Sequence, residues 1–342
     1  ELKKRFTSYK LSLLGVQLSV GPVDERVELL KTSLEEIITT QSFKTTTISE
    51  AVDDFIKTVK SRRDSGGLSG IGTGLTDYDR FTGGFQPSDL VIIAGETSQG
   101  KTSLALTMIR HAAVRFGARV CVFSYEMTQM QIVSRMMAQV SGINSKRLMS
   151  ANVSDEELEN SGFPPLKESN ILIDACSTTS IDYLLNNLRM YKIRYGVNIA
   201  VIDYLQLLRF DKKGISREQE VGMNTRLLKN IAKELDITVV VLSQLSRDRG
   251  TPKPTLNRLR DSGQIEEAAD QVIFVYRPEM YGIEHFEDSD IPTEGVAFVM
   301  LAKGRNVGVC SFYLNFDKYT TNFTNYQTSD FTQETRDFTA PF

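Results

Sequence analysis

The pattern of apolar and polar residues along the chain changes near Leu75. Before it, Asp24–Thr40 and Ile48–Val59 carry apolar residues three or four positions apart, which is the spacing of one helix face. Thr47 and Glu50 form a capping-box pattern that predicts the start of the second helix. Each helix has an apolar face that must be covered. The pattern leaves open whether its own domain or a neighbouring subunit covers the face of the second helix.

The stretch Ser65–Gly74 contains five glycines in ten residues. Such a composition is typical of a flexible connector. We therefore predict an end of a helical domain over residues 1–46, a linker helix and glycine-rich linker over 47–74, and a second domain from Leu75 onward.

Beyond Leu75, short apolar runs rich in Val and Ile alternate with helical patterns, as in buried parallel strands joined by helices. The alternation predicts an α/β fold with a mostly parallel central sheet covered by helices. The predicted strands are Leu90–Ala94, Val120–Phe123, Ile171–Ile173, Ile199–Ile202 and Thr238–Leu242, and the predicted helices are Lys101–Phe116, Gln129–Val140, Ile181–Tyr195 and Glu218–Leu235.

Three late apolar runs predict further strands at Gln271–Tyr276, Val296–Lys303 and Val309–Phe316. The turn signal Asn306–Gly308 predicts a hairpin between the last two. From Asn315 onward the chain holds seven Phe or Tyr and seven Thr in 28 residues, with no helical or strand period. We predict that the second domain covers 75–316 and that 317–342 is a polar aromatic tail, either poorly ordered or laid on another surface.

The composition of the 342 residues is ordinary for a globular protein, at 41% hydrophobic and 24% charged. It excludes a disordered chain, a collagen and a small disulfide scaffold. No apolar stretch is long enough to cross a bilayer, and no secretory leader pattern is visible, so no membrane is expected. Three scattered cysteines favour a reducing compartment over a disulfide framework or a zinc site. We expect the cytoplasm of a bacterial or phage-infected cell, and an organelle stays open as an alternative.

The formal net charge of −3 hides an asymmetry. Between Arg209 and Arg260 there are twelve basic residues against six acidic ones. A basic segment inside an acidic chain is typical of a local groove for a polyanion, or simply of a solvated mixed surface. Charge alone leaves both interpretations open.

The segment Gly95–Thr102 reads G-E-T-S-Q-G-K-T and fits the phosphate-binding pattern G-x-x-x-x-G-K-[ST]. It follows a predicted strand and precedes a predicted helix, which is the context the motif requires. Backbone N–H groups and the positive helix end cradle phosphate. Lys101 then supplies a charge to the β- and γ-phosphates, and Thr102 offers a hydroxyl to Mg²⁺. The motif predicts ATP and Mg²⁺ as cofactors.

Hydrolysis also needs a carboxylate that organises the metal and a base that aligns water. Asp203 stands at the tip of a buried strand, where ligands bind in such sheets, and is predicted to organise Mg²⁺. Glu126 follows another strand and is predicted to activate the attacking water. Gln244 follows a third strand and is predicted to sense the γ-phosphate, unless it is a plain surface residue.

These motifs together resemble the replicative hexameric DNA helicases of the DnaB type, which have a RecA-like ATPase core. The resemblance covers about Ile48–Phe316 and keeps the family's order. The matching segments are Ile71–Leu75 with Phe81–Gly84, the P-loop, Phe123–Met127, Val201–Leu207, Leu242–Arg247, Leu259–Gly263, Ala269–Asp270 with Tyr276–Arg277, and Ala302–Asn306.

The resemblance implies an ATP-driven ring of six subunits that threads single-stranded DNA through its centre and unwinds duplex DNA at the replication fork. It implies that Lys303 and Arg305 reach the nucleotide of the neighbouring subunit, where an arginine neutralises developing charge. It also makes the helix Ile48–Arg63 a linker helix that docks on the adjacent subunit. The nucleotide-binding residues it implies are Gly95, Ser98, Gly100, Lys101, Thr102, Ser103 and Arg135.

For DNA, the resemblance implies a loop containing Arg260, Asp261 and Gly263, which holds phosphates without reading bases. Arg258, with Arg247, Arg249 and Lys253, could add to its positive field, although each alone is typical of a solvated surface charge. A primase and a helicase loader are the further partners implied.

Two departures from the family stand out. Residues 1–40 look like only the end of the family's helical amino-terminal domain, which puts ring stacking and the primase interaction in doubt. In the P-loop, Glu96 and Gln99 occupy positions where small or arginine-type residues are common. No functional consequence follows from the sequence alone.

Two other classes share these motifs. A RecA-type recombinase or related clock-type ATPase has the same core but forms open filaments, whereas the linker helix and the Lys303–Arg305 pair favour a ring. A scaffold or loader would bind ATP as a switch. It would have no need for the water-activating acid, so an intact set of Glu126, Asp203 and Arg305 argues against it.

Overall fold

The computed structural model describes residues 46–64, 68–159, 161–175, 178–210, 214–245, 252–259, 263–287 and 289–327, together with positions 23, 27 and 31. The chain divides into two compact units, Glu1–Ser65 and Gly66–Phe342. The predicted helix Asp24–Thr40 falls almost entirely outside the described residues.

In the first unit, helix α1 spans Ile48–Asp64. The predicted capping box is confirmed, because the Thr47 amide donates to the Glu50 carboxylate at 3.0 Å and the Glu50 amide donates to Thr47 Oγ1 at 3.3 Å. The apolar face of α1 is exposed, and Phe55 keeps 66% of its accessible surface. The exposed apolar residues of this face are Ile48, Val52, Phe55, Ile56 and Val59.

The second unit alternates strands and helices as predicted. Its strands are β1 Leu90–Gly95, β2 Val120–Ser124, β3 Ile171–Ala175, β4 Ile199–Asp203, β5 Thr238–Gln244, β6 Gln271–Tyr276, β7 Val296–Gly304, β8 Cys310–Asp317 and β9 Asn322–Asn325. Its helices are α2 Thr76–Thr82, α3 Lys101–Phe116, α4 Gln129–Ser141, α5 Ser145–Met149, α6 Asp155–Glu159, α7 Pro164–Lys167, α8 Ile181–Tyr195, α9 Arg217–Leu235 and α10 Gly263–Ala268. Short 3₁₀ turns lie at Leu205–Leu207, Leu256–Arg258 and Pro278–Tyr281.

The nine strands form one sheet in the order β3-β2-β4-β5-β1-β6-β7-β8-β9. The first six in this order are parallel, and β7, β8 and β9 continue the sheet antiparallel. The predicted α/β class and the β7–β8 hairpin are both confirmed. Because β1 lies between β5 and β6, the loop that follows it emerges near the middle of the sheet's carboxyl edge.

Side chains of β1 alternate between two buried cores, one on each face of the sheet. Val91 and Ile93 pack with α3 and α4, whereas Leu90 and Ile92 pack with α8 and α9. Every residue of β1 is buried, which explains its continuous apolar sequence. The P-loop is therefore anchored by a strand that is packed on both sides.

The glycine-rich stretch before Leu75 is not a free linker where the structure describes it. Ile71 bridges to Phe85, and the Asp79 carboxylate accepts hydrogen bonds from the Thr73 amide and hydroxyl. A Cβ at Gly70 would lie 2.2 Å from the backbone carbonyl oxygen of Phe85, so glycine is required there for close approach. The prediction of a flexible connector is wrong for residues 68–74, because these glycines permit packing.

The segment after Asn315 also differs from the prediction. The sequence indicated no strand in this segment, yet Asn322–Asn325 pairs antiparallel with β8. Phe323 is 1% exposed and its ring lies 4.7 Å from that of Phe316. The strand was missed because it has four residues, too few to display a period. In the part of the chain that the structure describes, no helix is long and apolar enough to cross a membrane.

Candidate functional site

The P-loop curls at the carboxyl end of β1 and leads directly into α3. Two of its residues adopt left-handed backbone conformations, Ser98 at φ 67° and Gly100 at φ 100°. A Cβ at Gly100 would lie 2.9 Å from the Phe323 ring, so the glycine serves both the turn and the packing beneath it. The first turn of α3 points its free N–H groups at this loop, which favours an anion.

A cavity of about 400 Å³ opens over this loop. It brings together most of the predicted site, although strands far apart in sequence contribute to it. It is lined by Thr97, Ser98, Gly100, Lys101, Thr102, Ser103, Glu126, Met127, Arg135, Asp203, Tyr204, Gln244, Arg277, Phe316, Lys318 and Thr321. Of the predicted nucleotide residues, only Gly95 does not line it.

A hydroxyl and a carboxylate meet at the base of the cavity. Thr102 Oγ1 donates to Asp203 Oδ2 at 3.1 Å. Asp203 is 6% exposed, and burial raises its pKa from 3.8 to about 6. A buried carboxylate beside a hydroxyl is an oxygen donor set that suits Mg²⁺, and a bound cation would remove the cost of burying the charge. These two residues therefore fit the predicted metal.

Lys101 extends toward its own loop. Its Nζ donates to the carbonyl of Glu96 at 2.8 Å. Burial lowers the pKa of Lys101, while Asp203, Glu126 and Glu96 oppose that shift. The ammonium thus lies in a partly desolvated place where a phosphate oxygen would be a strong partner.

Three further predicted residues, Glu126, Gln244 and Arg135, also line the cavity. Glu126 follows β2 and is exposed, and Gln244 ends β5. The backbone N–H of Gln244 donates to Gln206 Oε1 at 3.3 Å, which connects this strand end to the segment after Asp203. Arg135 projects from α4, and burial lowers its pKa.

Sequence reasoning assigned no role to Arg277, although it lines the cavity. Its guanidinium lies 3.9 Å from the centre of the Phe316 ring, and its amide donates to Gln99 Oε1 at 2.6 Å. A usable signal existed, since Arg277 directly follows β6 as Glu126 follows β2. Lys318 and Thr321 come from the β8–β9 turn, for which the sequence offered no signal.

Lys303 and Arg305 lie at the opposite edge of the sheet. Because β7 runs antiparallel to β6, its end at Gly304 pairs with Gln271 at the start of β6. Arg305 Nη1 donates to Asp270 Oδ1 at 3.1 Å, and the Lys303 ammonium donates to the Glu266 carbonyl. The two cations are therefore remote from the P-loop of their own chain.

The predicted DNA residues are described only in part. Arg260 and Asp261 lie outside the described residues. Gly263 begins α10 and has open space where a Cβ would stand. Arg258 is 5% exposed and pairs with Glu96, so the interpretation of a solvated surface charge is wrong for this residue.

The protein-family model of the DnaB-like helicase C-terminal domain matches residues 70–325 of this chain. The chain belongs to this family. The replicative DNA helicase DnaB of Buchnera aphidicola (subsp. Schizaphis graminum) is 36% identical over 277 residues, which are 79% of this chain and 58% of that protein. The chain thus spans little more than half the length of that relative.

Two solved structures are also similar to this chain. A separately solved ATPase domain is 32% identical with a TM-score of 0.72, over 81% of this chain and 99% of that one. A DnaB-like replicative helicase, whose structure describes its interactions with primase, is 30% identical with a TM-score of 0.76, over 95% of this chain and 76% of the other. The RecA-like interpretation of the sheet is thereby confirmed. The DnaB-like match includes β9, in agreement with its place in the sheet.

Proposed function

We propose that this chain is the ATPase motor of a replicative DNA helicase, which assembles as a ring of six and moves along single-stranded DNA. The observation that carries the proposal is the convergence of Lys101, Thr102, Asp203 and Glu126 on one cavity over a P-loop. Membership in the DnaB-like family supports the same activity.

In this proposal the phosphates of ATP lie on the P-loop and the start of α3. Lys101 leaves the Glu96 carbonyl to neutralise the β- and γ-phosphates, while Thr102 and Asp203 hold Mg²⁺. The metal would neutralise charge on the phosphates. Glu126 orients a water for in-line attack and accepts its proton. Gln244, beside Gln206, responds to the γ-phosphate without adding charge.

Lys303 and Arg305 act on the nucleotide of the next subunit. Their distance from their own P-loop supports this, since a cation at one edge of the sheet is useful only to a site that another copy brings to it. Such an arrangement makes hydrolysis depend on assembly, because an arginine supplied in trans is worth about 10³- to 10⁵-fold in rate.

The DNA strand would contact the loop of Arg260, Asp261 and Gly263 in the central channel. Only the channel must be basic, which reconciles DNA binding with a net charge of −3.

α1, with its exposed apolar face, would dock on the adjacent subunit. A primase and a loader are the partners we expect, in the cytoplasm.

The test is ATP turnover with and without oligothymidylate, with particle mass measured in the same samples. Turnover that DNA stimulates, from particles of six subunits, is the expected result. An open-ended mass distribution would point to a recombinase-like filament. ATP binding without turnover would point to a switch.

Lys101→Ala is the decisive variant. We expect at least a 10²-fold loss of turnover with an unchanged melting temperature. Lys192→Ala is the matched control, since Lys192 is another partly buried lysine that donates to a carbonyl, that of Val197, at 3.1 Å. Retained turnover in Lys101→Ala would overturn the assignment of the P-loop.

A further inference from the structure

Lys303 and Arg305 both donate to the end of helix α10. The Lys303 ammonium donates to the carbonyl of Glu266, and Arg305 Nη2 donates to the carbonyl of Glu267 at 2.9 Å. Both carbonyls lie in the last turn of α10, where carbonyls have no partner within the helix. The two cationic side chains are therefore oriented by contacts with their own chain.

A carboxylate holds the second arm of the Arg305 guanidinium. Arg305 Nη1 donates to Asp270 Oδ1 at 3.1 Å, and the Arg305 backbone N–H donates to the Asp270 carbonyl at 2.8 Å. The side-chain contact joins two charged groups and is therefore stronger than a neutral hydrogen bond. Both the backbone and the side chain of Arg305 are thus attached to one residue.

Asp270 is itself anchored to the core of the domain. Its side chain is 5% exposed. Asp270 Oδ2 accepts from the Leu90 amide at 2.8 Å and from the Lys229 ammonium, and the Asp270 amide donates to the Leu90 carbonyl at 2.9 Å. Lys229 also donates to the Ser88 carbonyl at 2.7 Å. Because Leu90 begins the buried strand β1 and Lys229 lies on α9, the Asp270 carboxylate has a fixed place in the fold.

The two oxygens of Asp270 serve different partners. Oδ2 contacts the Lys229 ammonium, which compensates the buried negative charge, and Oδ1 orients Arg305. A guanidinium has five N–H donors, and the bonds to Asp270 and Glu267 engage two of them. Because the Arg305 side chain is 45% exposed, a phosphate of another copy can reach the same guanidinium without displacing Asp270. The geometry fits an arginine that is held ready.

We propose that Asp270 is a positioning residue, which holds the Arg305 guanidinium in the orientation that acts on the nucleotide of the next subunit. The inference rests on the proposed function, because it requires that Arg305 acts in trans. An arginine side chain that is not held samples many rotamers, and ordering it at the moment of hydrolysis costs rate. Asp270 is buried at the amino edge of the sheet, so it acts through Arg305.

The first variant is Asp270→Asn, which keeps the size of the side chain and removes its charge. We expect turnover to fall about 10- to 10²-fold, because a misplaced arginine no longer meets the phosphate. The affinity of a fluorescent, non-hydrolysable ATP analogue and the particle mass should not change, since the P-loop of each chain is intact.

Two further measurements separate positioning from a structural role. In Asp270→Asn with Arg305→Ala, turnover should equal that of Arg305→Ala alone, because Asp270 acts only through Arg305. Release of radiolabelled phosphate from ATP measures these low rates. Mixed with Lys101→Ala protein, Asp270→Asn should regain part of its activity, since its intact P-loop then meets an arginine that is still held.

Loss of the Asp270 charge leaves the Lys229 ammonium buried beside a neutral amide, which lowers stability. If Asp270→Asn does not fold, the double variant Asp270→Asn with Lys229→Met takes its place in all three measurements, because it removes both buried charges. It should show the same loss of turnover.

The matched control is Asp79→Asn, since Asp79 is another buried aspartate of this domain. Its carboxylate accepts from the Thr73 amide at 2.9 Å and from the Thr73 hydroxyl at 2.7 Å. This variant should lower the melting temperature and leave turnover unchanged.

Three results would overturn the inference. The first is turnover in Asp270→Asn that equals or exceeds that of the unaltered protein, and an increase would make Asp270 a competitor of the phosphate. The second is a further loss when Asp270→Asn is added to Arg305→Ala. The third is a mixture with Lys101→Ala that restores activity to Arg305→Ala and not to Asp270→Asn. Full turnover in Arg305→Ala itself would instead refute the proposed action in trans, and the inference would fall with it.

Discussion

The two edges of the sheet carry similar charged residues in different states. At the carboxyl edge, Lys101 and Asp203 face a common cavity, and burial shifts the pKa of each. At the amino edge, Arg305 is bound to Asp270 of its own chain, with its side chain 45% exposed. The first edge brings together most of the predicted nucleotide-binding residues, whereas the cations at the second edge contact acceptors of their own chain.

Topology accounts for the difference. Parallel strands end together at one edge, where helix starts and loops concentrate polar groups. The antiparallel turn of β7 brings Lys303 and Arg305 back to the other edge. Under the proposed function, the contrast means that binding is local to one chain whereas full catalysis depends on a second copy.

The largest expected effect is a loss of ATP turnover when Arg305 at the amino edge is replaced. Arg305→Ala should bind ATP but lose about 10³-fold or more in turnover, because the developing charge is no longer neutralised. Mixed with Lys101→Ala protein, it should regain part of the activity, since some interfaces then combine an intact P-loop with an intact arginine. Turnover and nucleotide binding are measured across mixing ratios.

Arg226→Ala is the control for that mixture, since Arg226 reaches Glu267 at 3.5 Å close to the same edge. It should behave as the unaltered protein. A strictly additive mixing curve for Arg305→Ala and Lys101→Ala would remove the argument for action in trans.

The next effect concerns the carboxyl edge. Glu126→Gln should lower turnover by about 10²- to 10⁴-fold, since the amide cannot accept the proton of the attacking water. Nucleotide affinity should change little, because Glu126 lies exposed at the mouth of the cavity. Single-turnover kinetics and analogue binding measure the two quantities. Glu168→Gln, an exposed acid on the same domain, is the control, and a large affinity loss in Glu126→Gln would contradict the role.

A third prediction uses the raised pKa of Asp203. Between pH about 4 and 6 the folded carboxyl keeps a proton that the unfolded chain has lost, so stability falls as pH rises through this window. A shift from 3.8 to about 6 corresponds to about 3 kcal/mol. Asp203→Asn should therefore flatten the pH dependence and stabilise the nucleotide-free protein at pH about 8, while turnover collapses.

Denaturant unfolding at a series of pH values from about 4 to about 8, in the absence of nucleotide and Mg²⁺, measures this effect. Asp174→Asn, at a half-buried strand position on β3, serves for comparison. An unchanged slope in Asp203→Asn would show that another group titrates in the window.

The smallest expected effect is a change in the KM for ATP when Arg277 in the cavity wall is replaced. Arg277→Lys should raise the KM for ATP by about 3- to 10-fold, because lysine loses the planar stacking on Phe316. The measurement is KM against kcat, and kcat should stay within about twofold. Arg194→Lys removes a second arginine–aromatic contact, at 5.2 Å from Tyr195, and should leave KM unchanged. A fall in kcat alone would assign Arg277 to the chemical step.

Much of the fold could be predicted because its signals are local. β1 was predicted from its continuous apolar residues, and α3 was predicted from its helical period. Both boundaries of α3 agree with the prediction. The short strand β9 and the packed glycines before Leu75 could not be predicted in this way. Their structures depend on a partner strand and on the close approach of Gly70 to the backbone of Phe85, which no local pattern encodes.

The sequence by itself determined the P-loop, the acid at the tip of β4 and the alternation that builds a parallel sheet, because each depends on neighbours within a few residues. Only the tertiary structure decided that Arg277 and Lys318 wall the cavity, that Arg305 lies at the far edge and that Arg258 pairs with Glu96. These placements depend on strand order and on the burial of charge, which arise from contacts between residues far apart in the chain.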